Sequence, residues 1–87
     1  MAFERHKFRE AKQEESETAD QFVLRLLQLS ENCEFGEAKE EHVRDQLIYK
    51  CRSHNLRKKL LEASGTLTLQ KAREIARSTE VAESRQD

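Results

Sequence analysis

The sequence predicts an all-α fold, a small bundle of four to five short helices. Three observations carry that expectation. The 87 residues include no Pro and only two Gly, and the chain is rich in Leu, Ala, Glu, Lys, Arg and Gln, the residues that lose least on entering a helix. Apolar residues recur at intervals of three and four, the spacing that stacks side chains on one helical face. Polar breaks between these stripes carry the residue types that start and stop helices. The length suits one domain, 1–87. Hydrophobic residues make up 36% of the chain and charged residues 38%, so the core is thin. Chains of about this size often add a disulfide, a metal or a partner subunit.

The first helix is expected over roughly 2–12, with Phe3, Phe8 and Ala11 as its few apolar contacts. Phe3 and Phe8 share no clean helical face, so residues 1–12 read as a leading helix or a linker. Residues 13–17, QEESE, interrupt the apolar pattern and form a connection. T-A-D-Q at 18–21 is a capping box: Thr18 accepts from the Gln21 main chain, and the Gln21 side chain reaches back. The helix that follows carries Phe22, Leu26, Leu29 and Cys33 in one stripe, widened by Val23 and Leu27. Gly36 is its expected left-handed terminator. A third helix is placed over roughly 38–52, with Val43, Leu47 and Cys51 four apart and Ile48 beside them. Glu37, Glu40 and Glu41 near its start, and Lys50 and Arg52 near its end, suit the helix dipole. A fourth runs over roughly 54–63, capped by Ser53 or Asn55, with Leu56, Leu60 and Leu61 facing in and Gly65 as its stop. The last starts from Thr68 as N-cap and carries Leu69, Ala72, Ile75, Ala76 and Val81, with Leu67 stapled onto Ala72. Residues 84–87 read as a frayed polar tail.

Bulk properties narrow the function. A formal charge of −1 argues against a general nucleic-acid or membrane binder. No run of about 18 apolar residues exists to span a bilayer. The charged N-terminus lacks an apolar signal core, which predicts a cytoplasmic chain. Two Cys in such a chain read as free thiols.

The stretch QEESETADQFVLRL, 13–26, holds the densest signal. With Thr18 as N-cap, Arg25 lies seven residues into the helix, about 10 Å along the axis. Helical side chains lean toward the N-terminus, so Arg25 can reach the turn that contains Glu17, with Gln13 four residues earlier. One Arg is then expected to bind a carboxylate, an amide and loop carbonyls together. The competing reading makes Glu17 and Arg25 solvated charges, and spacing alone does not separate the two.

Residues 13–26 resemble the major homology region of retroviral and retrotransposon Gag capsid proteins. Gln13, Glu17, Phe22, Val23, Arg25 and Leu26 fall on that motif in register. One departure is Glu14, where orthoretroviral sequences often carry Gly, which raises the expectation of a differently shaped turn. The likeness continues through ENCEFG, VRDQLI, NLRKKLLEA and TLTLQKAREIA, which together resemble the Gag of gypsy-type LTR retrotransposons. It covers roughly residues 8–82. The FREAKQE segment is similar to the SCAN domain, a dimerisation module related to this capsid domain. The resemblance implies a capsid C-terminal-like domain that dimerises to link capsomers during particle assembly. It implies a structural network of Gln13, Glu17, Phe22 and Arg25, with no catalytic role. It also implies a dimer contact on the third helix, at Val43, Gln46, Leu47 and Tyr49. The SCAN-like alternative is an exchanged dimer in a nuclear regulator, and a small helical RNA-binding domain is a second alternative.

Other constellations are weaker. Cys33, His42, Cys51 and His54 include one pair at ligand-like spacing, Cys51-x-x-His54, but no second tight pair completes a zinc site. No metal and no cofactor is therefore expected. Both Cys fall on apolar stripes and read as small buried hydrophobes. Lys50, Arg52, His54, Arg57, Lys58 and Lys59 form a basic cluster. It suggests polyanion contact, but no aromatic interleaves to stack bases, so a solvated helix junction is favoured. No phosphate loop, nucleophile elbow or HExxH motif appears, and no enzyme is expected.

Overall fold

Thr18 turns local chemistry into a helix start. Its Oγ1 accepts from the Gln21 N–H at 3.1 Å, and Gln21 Oε1 accepts from the Thr18 N–H at 2.8 Å. Two of the helix's orphan donors are thus satisfied reciprocally. The same device recurs in simpler form. Ser53 Oγ accepts from the Leu56 N–H and Thr68 Oγ1 from the Lys71 N–H, each at 3.1 Å. These three residues open three of the helices that build the core. In this computed structural model residues 2–84 are described. They form α1 (Ala2–Glu10), α2 (Ala19–Ser30), α3 (Lys39–Lys50), α4 (His54–Glu62) and α5 (Leu69–Ser84), with 3-10 turns at Gly36–Ala38 and Ser64–Thr66. No strand occurs among the described residues, and the all-α bundle is as the sequence predicts.

α3 is the central element. It packs against α2, α4 and α5, and Val43, Leu47 and Ile48 are buried. α2 contributes Phe22, Val23 and Leu26, α4 contributes Leu56 and Leu60, and α5 packs through Leu69, Ala72 and Ala76. Burying each large apolar side chain contributes about 1.5–3 kcal/mol. α1 docks through Phe8, which is fully buried, and the chain just beyond it through Ala11. The last carbonyls here are not left orphaned. Gln46 Nε2, on α3, donates to Arg9 O at 2.8 Å and to Ala11 O at 2.9 Å. A ring cluster continues this contact: Phe35 stacks on His42 at 4.0 Å and meets Phe8 edge-on at 5.1 Å. Arg9 Nη2 donates to His42 Nδ1 at 2.7 Å, a bond that requires this imidazole nitrogen to be unprotonated. No helix is long and apolar enough to cross a membrane.

Several expectations are corrected. α1 stops at Glu10, and Phe3 is 63% exposed, so of the three expected apolar contacts Phe8 and Ala11 are the ones that pack into the core. α2 ends at Ser30, well before Gly36, because the chain tightens into successive i→i+3 turns through Glu31, Asn32 and Cys33. Those turns keep Cys33 on the buried side, which is why the apolar stripe outlasts the helix. Gly36 is left-handed, φ 61°, as is Glu34, φ 55°, but Gly36 opens a 3-10 turn instead of closing α2. Gly65 is not left-handed, and Ala63 caps α4. Leu61 and Val81 lie on the exposed sides of their helices. Residues 85–87 of the expected tail lie outside the described residues.

Candidate functional site

The turn over residues 13–17 is held by its own side chains first. The Glu17 N–H donates to Glu14 O at 3.1 Å, and the Glu14 N–H donates to Glu17 Oε1 at 3.1 Å. Glu14 has no positive φ, so this turn does not need the Gly that its position often carries in the resembling sequences.

Arg25, on α2, closes on that turn. Its Nε donates to Glu17 Oε2 and its Nη2 to Glu17 Oε1, both at 2.9 Å, and Nη2 also donates to Lys12 O at 2.6 Å. The planar guanidinium matches the carboxylate fork, which fixes geometry as well as charge. Phe22, fully buried, supplies the shelf beneath it: the Arg25 guanidinium carbon lies 5.4 Å from the ring centroid. Arg25, first by its hydrogen bonds, holds the Glu17 carboxyl below the usual carboxylate range against the opposing effect of burial. Glu17 in turn raises the Arg25 guanidinium. The Glu17 side chain is 14% exposed and that of Arg25 36%. The pair is therefore partly screened, and about 2 kcal/mol is a reasonable net contribution.

The geometry corrects one expectation about this group. Arg25 makes no bond to the Gln13 amide among the described residues. Gln13, itself buried, reaches Glu17 through the main chain: Nε2 donates to Glu17 O at 2.7 Å. The remaining bonds of Gln13 run elsewhere. Its N–H donates to Lys50 O at the end of α3, and its Oε1 accepts from the Arg52 N–H, each at 3.0 Å. Its Nε2 also donates to Glu80 Oε2 at 3.2 Å. Glu80 is the member that sequence reasoning missed. It comes from α5, accepts from the Ala19 N–H at 2.9 Å, and so places a carboxylate on the N-terminus of α2, where the helix dipole favours it. Asp20 adds a second link to α5 through Arg77 Nη2 at 2.9 Å and Arg73 Nε at 3.2 Å. The Arg77 bond, ahead of the Arg73 bond, holds the Asp20 carboxyl low.

The expected dimer contact is largely overturned as a surface. Val43 and Leu47 are fully buried and Gln46 is 4% exposed. Gln46 commits its amide to the carbonyls at the end of α1, so it belongs to the inside of this chain. Of the four, Tyr49, 63% exposed, is the one available to a partner. The basic cluster is also thinned. Arg57 Nη2 donates to Cys51 O at 2.7 Å and Nε to Ile48 O at 3.2 Å, closing the end of α3. Lys50, Arg52, Lys58 and Lys59 stay exposed.

Neither Cys is presented for chemistry. Cys33 and Cys51 are free and buried, and burial pushes the Cys51 thiol up, away from the reactive thiolate. His54 is exposed. Among the described residues no three His, Cys, Asp or Glu side chains gather where they could hold a metal ion. The network borders an open groove whose walls include Glu15, Arg52, His54, Asn55, Arg77 and Val81. Its charges are of both signs, so it favours no single class of charged ligand. No family model, curated protein or solved structure matches the chain.

Proposed function

We propose that this chain is a non-enzymatic self-association domain of the Gag capsid C-terminal type, working inside the cell as a unit of a particle assembled from many copies. The observation that supports it most is the Glu17–Arg25 fork on a Phe22 shelf, with Gln13 on the same turn. These are the motif positions of the major homology region, and they act together as a structural brace. On this reading the brace has a clear purpose. It fixes a turn, the start of α2 and the end of α5, and so fixes how the outer surface is presented. With Val43, Gln46 and Leu47 committed to the core, the partner contact falls to side chains such as Tyr49. Individual contacts in such a shell need only be weak, because multivalency adds them.

Sedimentation equilibrium over a broad concentration range tests this. Reversible, concentration-dependent association that survives with native helicity is the expected result. A monomer at every concentration removes self-association as the role of this chain by itself. A tight dimer that exchanges protomers only slowly favours the SCAN-like reading.

A further inference from the structure

α1 is seated on the bundle by contacts of two kinds. Phe8 is buried in the core, and the Gln46 amide holds the carbonyls at the end of α1; neither contact titrates. The other kind runs through Phe35 and His42. The guanidinium carbons of Arg5 and Arg9 lie 5.4 Å and 5.6 Å from the Phe35 ring centroid, and Arg9 Nη2 ends 2.7 Å from His42 Nδ1. A guanidinium has no acceptor, so this bond exists only while Nδ1 keeps its lone pair. A proton there removes the acceptor and sets cation against cation. The charges around the ring offer little to offset this. Those facing it from α1, Arg5 and Arg9, are both positive. In the segment between α2 and α3, Phe35 covers the ring itself, and Glu34 and Glu37 are the acids. On α3, Lys39 is engaged with Glu31, Asp45 is forked by Arg44, and Glu41 adjoins His42 in sequence. Among the described residues none of these carboxylates pairs with His42.

We propose that His42 and Arg9 form an acid-sensitive latch, which keeps α1 seated while the imidazole is neutral and frees it as the imidazole gains a proton. The seated arrangement needs a neutral ring and the released one does not. Seating is therefore complete toward about pH 8 and weakens as pH falls toward about 5, the interval in which imidazoles charge. Arg9 is exposed, so once repelled it turns to solvent and withdraws its cover from the Phe8 and Phe35 rings. His6 acts in the opposite sense within α1. It lies 3.1 Å from Glu10, four residues on, and forms an ion pair only when charged, so acid supports the helix while undoing its seat. The latch lies within one chain and is independent of the self-association reading.

The two thiols make this testable. Cys33 reports the seat of α1: its Sγ lies 3.4 Å from Glu4 O, and its carbonyl accepts from Arg5 Nε at 2.9 Å. Cys51 is also buried and free, but its Sγ contacts Ile48 O and Ser53 O, so it serves as the internal control. The experiment is thiol alkylation of the whole chain from about pH 8 to about pH 5, with each Cys followed by peptide mass. Each rate is divided by that of the urea-unfolded chain at the same pH, which removes the intrinsic dependence on thiolate. The expected result is a relative rate at Cys33 that rises about tenfold with acid, beside a constant one at Cys51. His42→Gln offers an acceptor that does not titrate, and His42→Phe keeps a ring without an acceptor. Each flattens the Cys33 profile, at whatever level its own packing sets, whereas His6→Gln and His54→Gln leave the rise in place. A wild-type Cys33 rate indifferent to pH overturns the latch. A rise that survives both His42 substitutions assigns the response to another group and overturns it as well. Parallel rises at Cys33 and Cys51 mean a general loosening and do the same.

Discussion

Arg25 makes three kinds of contact with one side chain: it forks onto Glu17, holds the Lys12 carbonyl and lies over the Phe22 ring. Arg25→Ala is expected to cost about 2 kcal/mol, which in a domain of this size lowers the melting temperature by roughly 8–16 °C. Arg25→Lys recovers little of it, since an ammonium cannot fork onto a carboxylate. Thermal unfolding followed by circular dichroism reads both, and an unchanged melt for Arg25→Ala discards the brace. The acid dependence has a definite sign. Glu17 and Asp20 are held below the usual carboxylate range by their Arg partners. Their contribution to stability is complete above the unfolded carboxylate values, about pH 4. It is lost as pH falls through the lower folded values. Urea unfolding from pH 7 to pH 3 is expected to show a shallower acid decline in Glu17→Gln than in wild type. Identical declines exclude Glu17 as a source of it. Spacing put Glu17 and Arg25 within reach of each other, eight residues apart on a turn and its helix, but did not by itself separate a brace from two solvated charges.

At the scale of the helix, caps were readable and faces were not always. Thr18, Ser53 and Thr68 cap as their side-chain chemistry dictates. α3 misled for a physical reason. It is buried on more than one side, by α2, α4 and α5, and a polar residue, Gln46, occupies one of its inner positions. Buried Ile48 sits about 100° around the helix from Leu47, so no single stripe marks inside from outside. Gln46 is buried because the end of α1 lies against it, and that neighbour is 35 to 37 residues away. Two substitutions on this one helix separate its inner and outer sides. Leu47→Ala is expected to cost about 2–5 kcal/mol by leaving a cavity. Tyr49→Ala is expected to leave monomer stability within about 0.5 kcal/mol. Denaturant unfolding at low protein concentration reads both; a large loss in Tyr49→Ala would place its ring in the core.

Across the whole molecule, the helical bundle was legible and its long-range stitching was not. Composition and periodicity gave the helices, because each is a local property. Glu80 reaches partners 61 and 67 residues away, and no local pattern announces that. Phe35 lies on no periodic stripe, yet it joins Phe8 to His42. The bundle spans 43 × 29 × 16 Å, so it is flattened, its short dimension about one and a half helix diameters. A slab that thin leaves most helices an exposed side. It therefore depends on polar bonds between elements, such as Asp20 with Arg73 and Arg77, or Ser53 with Glu83 at 2.8 Å.

Gln13 takes this furthest. Its bonds reach the 13–17 turn, the end of α3, the segment leading into α4 and the C-terminal part of α5. None of those segments can open alone without breaking a bond to the same side chain or its main chain. Local fluctuation is thereby converted into a shared event. Native-state amide hydrogen exchange is expected to give the Gln13, Ala19 and Arg52 amides one common opening free energy. In Gln13→Ala the Arg52 amide, deprived of its acceptor, is expected to exchange earlier than that of Ala19, which Glu80 still holds. A residue that joins four segments sets the size of the smallest piece of this protein that can come undone.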